Sequence, residues 1–199
     1  MNNKRKEEEI KNFDLLASDW DEQIPEKSIK YVDRLVKRLH ITDEHSLLDV
    51  AAGTGIIYSR LQSFNIHLHR YVAVDISNNM LRELKAKYPD AESFCADFED
   101  EFSMNYGFDF VMIFDSIPHF ENYDMVFLNA YNNLKTNGKF VIVHARTRHE
   151  LKEHHKTIGH VGKIDPIPSD DKLIELSKKY KFRNVCIEDE DYFCYIGEK

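Results

Sequence analysis

Several residue types are scarce, and each shortage narrows what the chain can be. The 199 residues include three cysteines, seven glycines, five prolines and one tryptophan. The cysteines, at positions 95, 186 and 194, are odd in number and lack metal-ligand spacing, which argues against a disulfide framework. A reducing cytoplasm is therefore the expected location. No apolar run is long enough to span a membrane and no signal-peptide pattern is present, so no membrane association is expected.

Basic residues are fewer than acidic residues. Lysine and arginine number 27 against 35 acidic residues, for a net charge of −8. Proteins that bind nucleic acids usually carry a basic surface, so this balance disfavours such a partner. A small-molecule substrate and a monomeric or homodimeric state are expected instead.

The most informative feature of the sequence is a pair of apolar runs, each of which includes or ends at an aspartate. The first, Leu47–Val50, contains Asp49 and leads into Gly53-Thr54-Gly55, and the second runs directly into Asp75. This pattern predicts a strand, a tight turn into a helix, and a second strand that ends in a carboxylate. Ligands of nucleotide type bind at the carboxyl ends of such strands, so we expect a ligand that contains adenosine.

The residue spacing in the glycine loop indicates which of the adenosine-containing ligands is expected. A dinucleotide site needs a third small residue at the position occupied by Tyr58, and a phosphate-binding loop needs Lys-Ser or Lys-Thr after its glycines. Both features are missing. S-adenosylmethionine fits better, because an amino-acid tail takes the place of the pyrophosphate.

Alternating strands and helices with short connections predict an α/β fold with a doubly wound, Rossmann-like sheet. Strands are predicted at 46–50, 71–74, 93–96, 110–114, 139–144, 184–188 and 192–197. Helices are predicted from Ile10, from Pro25 to Leu39, after Gly55, and at 78–88, 123–134 and 170–180.

In this order and at these spacings, the motifs resemble those of class I S-adenosylmethionine-dependent methyltransferases over about the whole chain. Asp49-Val-Ala-Ala-Gly-Thr-Gly55 resembles the family's first motif, with Ala51 in place of its first glycine. The resemblance implies one domain over residues 1–199 and a seven-stranded, mostly parallel sheet with a C-terminal antiparallel hairpin. It also implies S-adenosylmethionine as cofactor and S-adenosylhomocysteine as product.

The resemblance further implies roles for single residues. Asp75 would receive the ribose hydroxyls, Asp97 would meet the adenine amino group, and Asp115 would lie near the methionyl end. The predicted cofactor-binding residues are Trp20, Asp49, Ala51, Gly53, Gly55, Asp75, Ile76, Met80, Asp97, Phe98 and Asp115.

Residues 1–24 have two interpretations. Apolar positions that recur at helical spacing up to Trp20 predict a short amphipathic helix packed on the core. Similarity to the family favours instead a helical lid over the cofactor, and both alternatives stay open.

Two histidines are candidates for the catalytic step. Methyl transfer needs mainly a nucleophile held in line, and a base helps only if the acceptor arrives protonated. His119 follows the fourth predicted strand and His144 ends the fifth. His119 would act as a base or a hydrogen-bond donor, or alternatively would pack on a helix or bind the cofactor's tail.

The segment 145–169 is long for a connection and is predicted to be a substrate-binding insertion. It is locally basic, and Arg148, His149 and His155 are candidate ligands of a small anionic acceptor. A solvated charged helix is the alternative. The histidine spacings match no familiar metal site, so no metal is expected.

The predicted function is methyl transfer from S-adenosylmethionine to a small-molecule acceptor, which is possibly anionic. Base-methylating enzymes carry Asp/Asn-Pro-Pro-Tyr after the fourth strand, whereas this chain has Asp115-Ser-Ile-Pro118-His119, without the aromatic residue. An RNA or protein methyltransferase and a non-catalytic S-adenosylmethionine-binding protein remain alternatives. A nicotinamide-dependent oxidoreductase is disfavoured by Tyr58.

Overall fold

The computed structural model of the chain describes residues 3–157 and 165–199. Contacts divide the chain into two compact units, Met1–Phe102 and Ser103–Lys199. The strands belong to a seven-stranded sheet with the order β3-β2-β1-β4-β5-β7-β6.

The first unit contains the N-terminal helices and three parallel strands. Its elements are α1 (Asn3–Leu16), 3-10 helices at Ala17–Asp19 and Asp21–Gln23, α2 (Glu26–Arg38), β1 (Ser46–Val50), α3 (Ile56–Ser63), β2 (Arg70–Asp75), α4 (Asn78–Lys87) and β3 (Glu92–Cys95). In register, Asp49 on β1 pairs with Ala73 on β2, and Asp75 on β2 pairs with Cys95 on β3. All five residues of β1 are buried, as an apolar central strand requires.

Helices α1 and α2 differ in how they are anchored. Helix α2 buries Tyr31, Val32, Leu35 and Val36 along one face, as its apolar periodicity predicts. No side chain among residues 4–16 of α1 is buried, and Leu15 is 79% exposed. Polar contacts therefore have a large share in holding α1 in place.

The second unit contains four strands, of which two form a terminal hairpin. Its elements are β4 (Phe108–Phe114), a 3-10 helix at Ile117–His119, α5 (Tyr123–Asn133), β5 (Leu134–His144), α6 (Arg148–Thr157), α7 (Asp170–Lys179), β6 (Arg183–Asp189) and β7 (Phe193–Glu198). Strands β4 and β5 are parallel, whereas β7 is antiparallel to both β5 and β6. The mostly parallel seven-stranded sheet and its antiparallel hairpin confirm the predicted fold class.

Two elements differ from their predicted form. Strand β5 begins at Leu134, because Leu134 already pairs with Phe108 before a register shift, so residues 135–138, which lie between the predicted helix 123–134 and the predicted strand 139–144, belong to it. Helix α6 occupies part of the predicted insertion at 145–169. Of that insertion, residues 158–164 lie outside the described ranges. No helix in the described part of the chain is long and apolar enough to cross a membrane.

Candidate cofactor and acceptor sites

The loop between β1 and α3 has a left-handed backbone at alternate positions. The φ angles are 56° at Ala51, 54° at Gly53 and 94° at Gly55. Glycine adopts this conformation without steric cost, whereas alanine is strained in it. The loop therefore needs glycine at the last two positions, and Ala51 holds the conformation under strain.

Asp75, the predicted ribose acid, is held by the backbone of two loops. Its Oδ2 accepts a hydrogen bond from the Gly53 N–H at 2.8 Å, and its Oδ1 accepts one from the Ser77 N–H at 2.8 Å. The residue is only 7% exposed. An ionised carboxylate is an acceptor with about four lone-pair sites, so a hydroxyl group is a suitable partner for Asp75.

Asp49 lies inside the first unit. It is 2% exposed, and its Oδ2 accepts a hydrogen bond from the Tyr71 hydroxyl at 2.6 Å. Burial, with a smaller contribution from the charge of Asp75, raises the pKa of Asp49 to about 7 despite the lowering effect of the Tyr71 hydrogen bond. The cofactor-binding role of Asp49 stays a prediction, and its observed partner is Tyr71.

Asp97, the predicted adenine acid, already has partners on both oxygens. Oδ1 accepts from the Glu99 N–H at 2.8 Å, and Oδ2 forms an ion pair with the Lys6 ammonium, which also lies 3.5 Å from the Glu99 carboxylate. Phe98 is buried and packs against Phe102 with ring centroids 5.5 Å apart. Lys6 was absent from the residues predicted from the sequence.

The remaining predicted cofactor residues surround the same loops. The indole nitrogen of Trp20 would lie 3.7 Å from a Cβ built on Gly53, and Trp20 packs edge-on against Phe13. Met80 is buried in α4, and Ile76 is half-buried. The segment that carries Trp20 therefore reaches the glycine loop.

Two further acids tie this N-terminal segment to the loops. Asp14 accepts a hydrogen bond from the Ser77 hydroxyl at 2.6 Å, and Asp21 accepts one from the Thr54 hydroxyl at 2.5 Å. Asp21 also forms an ion pair with Lys87. Residues 6–21 thus contact the loops that follow β1, β2 and β3.

In the second unit, Asp115 and His144 are neighbours. Asp115 directly follows β4 and has φ 53°, and its Oδ1 accepts from the Ala145 N–H at 2.6 Å while lying 3.7 Å from His144 Nδ1. His144 Nδ1 accepts from the Arg146 N–H at 3.0 Å. Burial lowers the pKa of His144, which the Asp115 charge opposes, so the neutral ring is favoured. A neutral ring that accepts at Nδ1 carries its proton on Nε2 and is a hydrogen-bond donor there.

His119 ends the 3-10 helix after β4. Its side chain is exposed, and its N–H donates to the Ser116 carbonyl at 3.0 Å. Its charge is among the influences that lower the pKa of His144. The two predicted catalytic histidines therefore lie in the same part of the second unit.

The Arg148 side chain forms hydrogen bonds and ion pairs with several other segments of the second unit. Its guanidinium donates to the Pro168 carbonyl from Nε at 3.0 Å and from Nη2 at 2.7 Å. It also pairs with Asp189 at 3.2 Å and Asp170 at 2.8 Å, and it stacks on the Phe193 ring at 4.6 Å. These contacts join the start of α6 to the chain before α7 and to the β6–β7 turn, so they favour a structural role over the predicted binding of an anionic acceptor.

The lysines of α6 are paired with acids. Lys152 pairs with Asp165, and Lys156 pairs with Glu153. His149 is exposed and His155 is half-buried. Within residues 3–157 and 165–199, no three His, Cys, Asp or Glu side chains are grouped to hold a metal ion. His160, also part of the predicted basic segment, lies outside these ranges.

A Thr-x-x-Glu pattern in the sequence lies at the start of helix α6, which is not among the helices predicted from the sequence. Thr147 and Glu150 form a capping box, because the Thr147 hydroxyl accepts from the Glu150 N–H at 3.1 Å and the Glu150 carboxylate accepts from the Thr147 N–H at 3.0 Å. This Thr-x-x-Glu spacing marks the start of α6. Lys6, Asp14 and Tyr71 carry no comparable local signal, since their partners are 22 or more residues away in sequence.

The residues of the first unit fit the cofactor that the family implies. Asp75 is a carboxylate of the kind that accepts ribose hydroxyls, and among the described residues, the chain neighbours of Gly53 aside, the Trp20 indole is what lies within 4 Å of the position that a Gly53 Cβ would fill. A ligand can therefore approach this backbone closely.

Known proteins share the domain and the fold. A sequence model described as a methyltransferase domain matches residues 48–142. No curated protein matches the chain. Haemonchus contortus phosphoethanolamine N-methyltransferase 2, in complex with phosphomonomethylethanolamine and S-adenosylhomocysteine, is similar with a TM-score of 0.67 and 18% identity over 85% of this chain. The chain spans only about half, 52%, of that protein.

Two further structures show how far the similarity extends. A Haloferax volcanii methyltransferase in complex with the Trm112 methyltransferase activator has a TM-score of 0.73 and 15% identity, with 94% of this chain and 96% of that chain covered. Coclaurine N-methyltransferase, bound to N-methylheliamine and S-adenosylhomocysteine, has a TM-score of 0.52 and 20% identity, with 59% and 36% covered. At these identities, the structures support the fold, and the domain model supports the activity. The chain therefore carries a methyltransferase domain at residues 48–142 and shares its fold with methyltransferases of known structure.

Proposed function

We propose that this enzyme transfers a methyl group from S-adenosylmethionine to a nitrogen atom of a small-molecule acceptor. The observation that carries the proposal is Asp75, a buried carboxylate at the end of β2 that two loop amides hold beside the glycine loop. The small-molecule acceptor is supported by two neighbours of similar fold, which are N-methyltransferases of phosphoethanolamine and of coclaurine.

The residues of the first unit would hold the cofactor. Asp75 would bind the ribose, the backbone at Gly53 would line the ligand, and Asp97 with Phe98 would bind the adenine. When bound, the cofactor supplies a methyl group already activated by its positive sulfur. The Lys6 ammonium lies on the Asp97 carboxylate, so Lys6 would shift or share that carboxylate when the adenine binds.

On the acceptor side, His144 is proposed as a hydrogen-bond donor. Its Nδ1 is occupied by the Arg146 N–H, so neutral His144 would donate from Nε2 and orient the acceptor. It would not remove a proton at that nitrogen. His119, which is exposed, remains the candidate base for an acceptor that arrives protonated.

The experiment is a calorimetric titration with S-adenosylmethionine, S-adenosylhomocysteine and NAD. Binding of the first two and not of NAD supports the proposed cofactor, and binding of NAD alone would overturn it. Asp75→Ala should weaken S-adenosylhomocysteine binding by roughly 2–3 kcal/mol through lost charge-assisted hydrogen bonds. Unchanged affinity in a folded variant would remove Asp75 from the site.

The acceptor is tested by product detection with matched pairs of amines, such as ethanolamine and phosphoethanolamine. Methylation of either supports the small-molecule assignment. A preference for the phosphorylated amine would support the predicted anionic acceptor, whereas a preference for the neutral one would contradict it. If added RNA or protein is methylated and no amine in the set is, the alternative macromolecular function is favoured.

A further inference from the structure

A chain of hydrogen bonds leads from helix α1 to the ribose acid. Asp14 Oδ1 accepts from the Ser77 hydroxyl at 2.6 Å and from the Asn79 N–H at 3.2 Å. The Asn79 side-chain amide donates back to the Asp14 carbonyl at 3.1 Å. Ser77 in turn donates its backbone N–H to Asp75 Oδ1 at 2.8 Å. Only one residue, Ser77, therefore separates Asp14 from Asp75.

The bonding of Ser77 leaves it little freedom. Its side chain is buried, and its oxygen accepts from the Met80 N–H at 3.1 Å as the N-cap of α4. A hydroxyl has one proton to donate, and here the proton goes to Asp14. The Asp14 carboxylate thus determines the hydroxyl orientation of the residue whose N–H binds Asp75. A hydrogen bond to a charged acceptor is stronger than one between neutral groups.

We infer that Asp14 is a positioning residue for cofactor binding, which acts through Ser77 to hold the carboxylate of Asp75. This inference rests on the proposed function, because it takes Asp75 as the group that binds the ribose. Helix α1 buries no side chain of its own among residues 4–16, so the hydrogen bonds of Asp14 are a main link between this helix and the Ser77 loop. Asp14 makes this helix part of the cofactor site.

The first test compares Asp14→Ala with Asp19→Ala, using calorimetry with S-adenosylhomocysteine. Asp19 lies on the same N-terminal segment and is exposed, so it is the matched control. We expect roughly tenfold weaker binding for Asp14→Ala and an unchanged dissociation constant for Asp19→Ala. Asp14→Asn, whose amide oxygen can still accept from Ser77, should retain an intermediate affinity. Equal affinity of Asp14→Ala and the wild type would overturn the inference.

A double-mutant cycle separates positioning from general loosening of α1. In the Asp75→Asn background, the loss caused by Asp14→Ala should shrink to about twofold or less, because the group that Asp14 positions is already altered. A full, additive loss in that background would show that Asp14 acts elsewhere and would overturn the inference.

The two proposals fail in different ways. If the wild type binds neither S-adenosylmethionine nor S-adenosylhomocysteine, the proposed function itself fails. If the wild type binds both and only the Asp14 results depart from expectation, the inference alone fails. Thermal melts of every variant check that each protein is folded at the titration temperature.

Discussion

At the residue scale, the left-handed backbone of the glycine loop limits which residue types can occupy three of its positions. Gly55 has φ 94°, and a Cβ there would lie 3.2 Å from two carbon atoms of Leu84 and 3.5 Å from the Tyr88 ring. Ala51 has φ 56° and already carries a Cβ. Strain is therefore avoided at Gly55 and tolerated at Ala51.

Exchanging glycine and alanine at these two positions should have opposite effects. Gly55→Ala should lower the free energy of unfolding by about 1–3 kcal/mol, because a side chain is forced into a left-handed conformation and a tight space. Ala51→Gly should be neutral or stabilise by up to about 1 kcal/mol, since relief of strain exceeds the added entropy of the unfolded chain. Urea denaturation measures both. Destabilisation by Ala51→Gly would contradict the strain at Ala51.

The buried Asp49 carboxyl should make stability depend on pH. In the folded protein the pKa of this carboxyl is raised to about 7, whereas the ordinary pKa of an aspartate is 3.8. Between these values the folded state binds more protons, so the contribution of this group to stability is full below pH 4 and is lost as pH rises to about 7. The loss should be roughly 2–4 kcal/mol.

Asp49→Asn isolates this effect, because the amide oxygen can still accept from Tyr71 and does not titrate. Denaturation at several pH values from 4 to 8, without cofactor, should give a stability difference between variant and wild type that grows in favour of the variant as pH rises. A difference that is constant with pH would show that Asp49 is ionised throughout.

At the element scale, helix α6 is held by its first residue more than by its basic face. Arg148 joins it to the carbonyl of Pro168, to Asp170 and to Asp189, and stacks on Phe193. Leu151 is the buried apolar residue of the helix. The ion pair between Lys156 and Glu153 lies on the exposed surface, where such pairs contribute little.

Arg148→Ala should destabilise the protein by about 1–3 kcal/mol, because the carbonyl of the buried Pro168 loses the guanidinium that donates to it and two exposed carboxylates lose an ion-pair partner. Lys156→Ala is the matched control on the same helix and should change stability by less than about 0.5 kcal/mol. Chemical denaturation measures both variants. A raised Michaelis constant with unchanged stability for Arg148→Ala would instead support the predicted role in binding an anionic acceptor.

At the scale of the whole molecule, the net charge of −8 opposes association with polyanions. Basic side chains of α6 are paired with acids, which weakens the local positive field that the sequence suggested. Fluorescence anisotropy with a single-stranded RNA at low salt should therefore show no saturable binding at micromolar protein. Tight, salt-sensitive binding would favour the RNA methyltransferase alternative.

Much of the fold could be predicted from the sequence, because it depends on local patterns of residues. The apolar runs of β1, β2 and β4, the Ser77 cap and the amphipathic face of α2 are each encoded by neighbouring residues. The start of β5 at Leu134 was missed, because it depends on pairing with Phe108, which is distant in sequence, whereas Asn137 keeps a left-handed φ of 65° beside the register shift.

Spacing along the chain is enough to predict the α/β class, the glycine loop and the acids near two strand ends, because it places these groups relative to the strands. Which groups these acids contact depends on how distant segments fold together. The pairing of Asp97 with Lys6, of Asp49 with Tyr71 and of Ser77 with Asp14 joins residues far apart in sequence, and no local pattern specifies such contacts. The buried environment of His144 likewise decided its protonation, because desolvation acts on the folded chain alone.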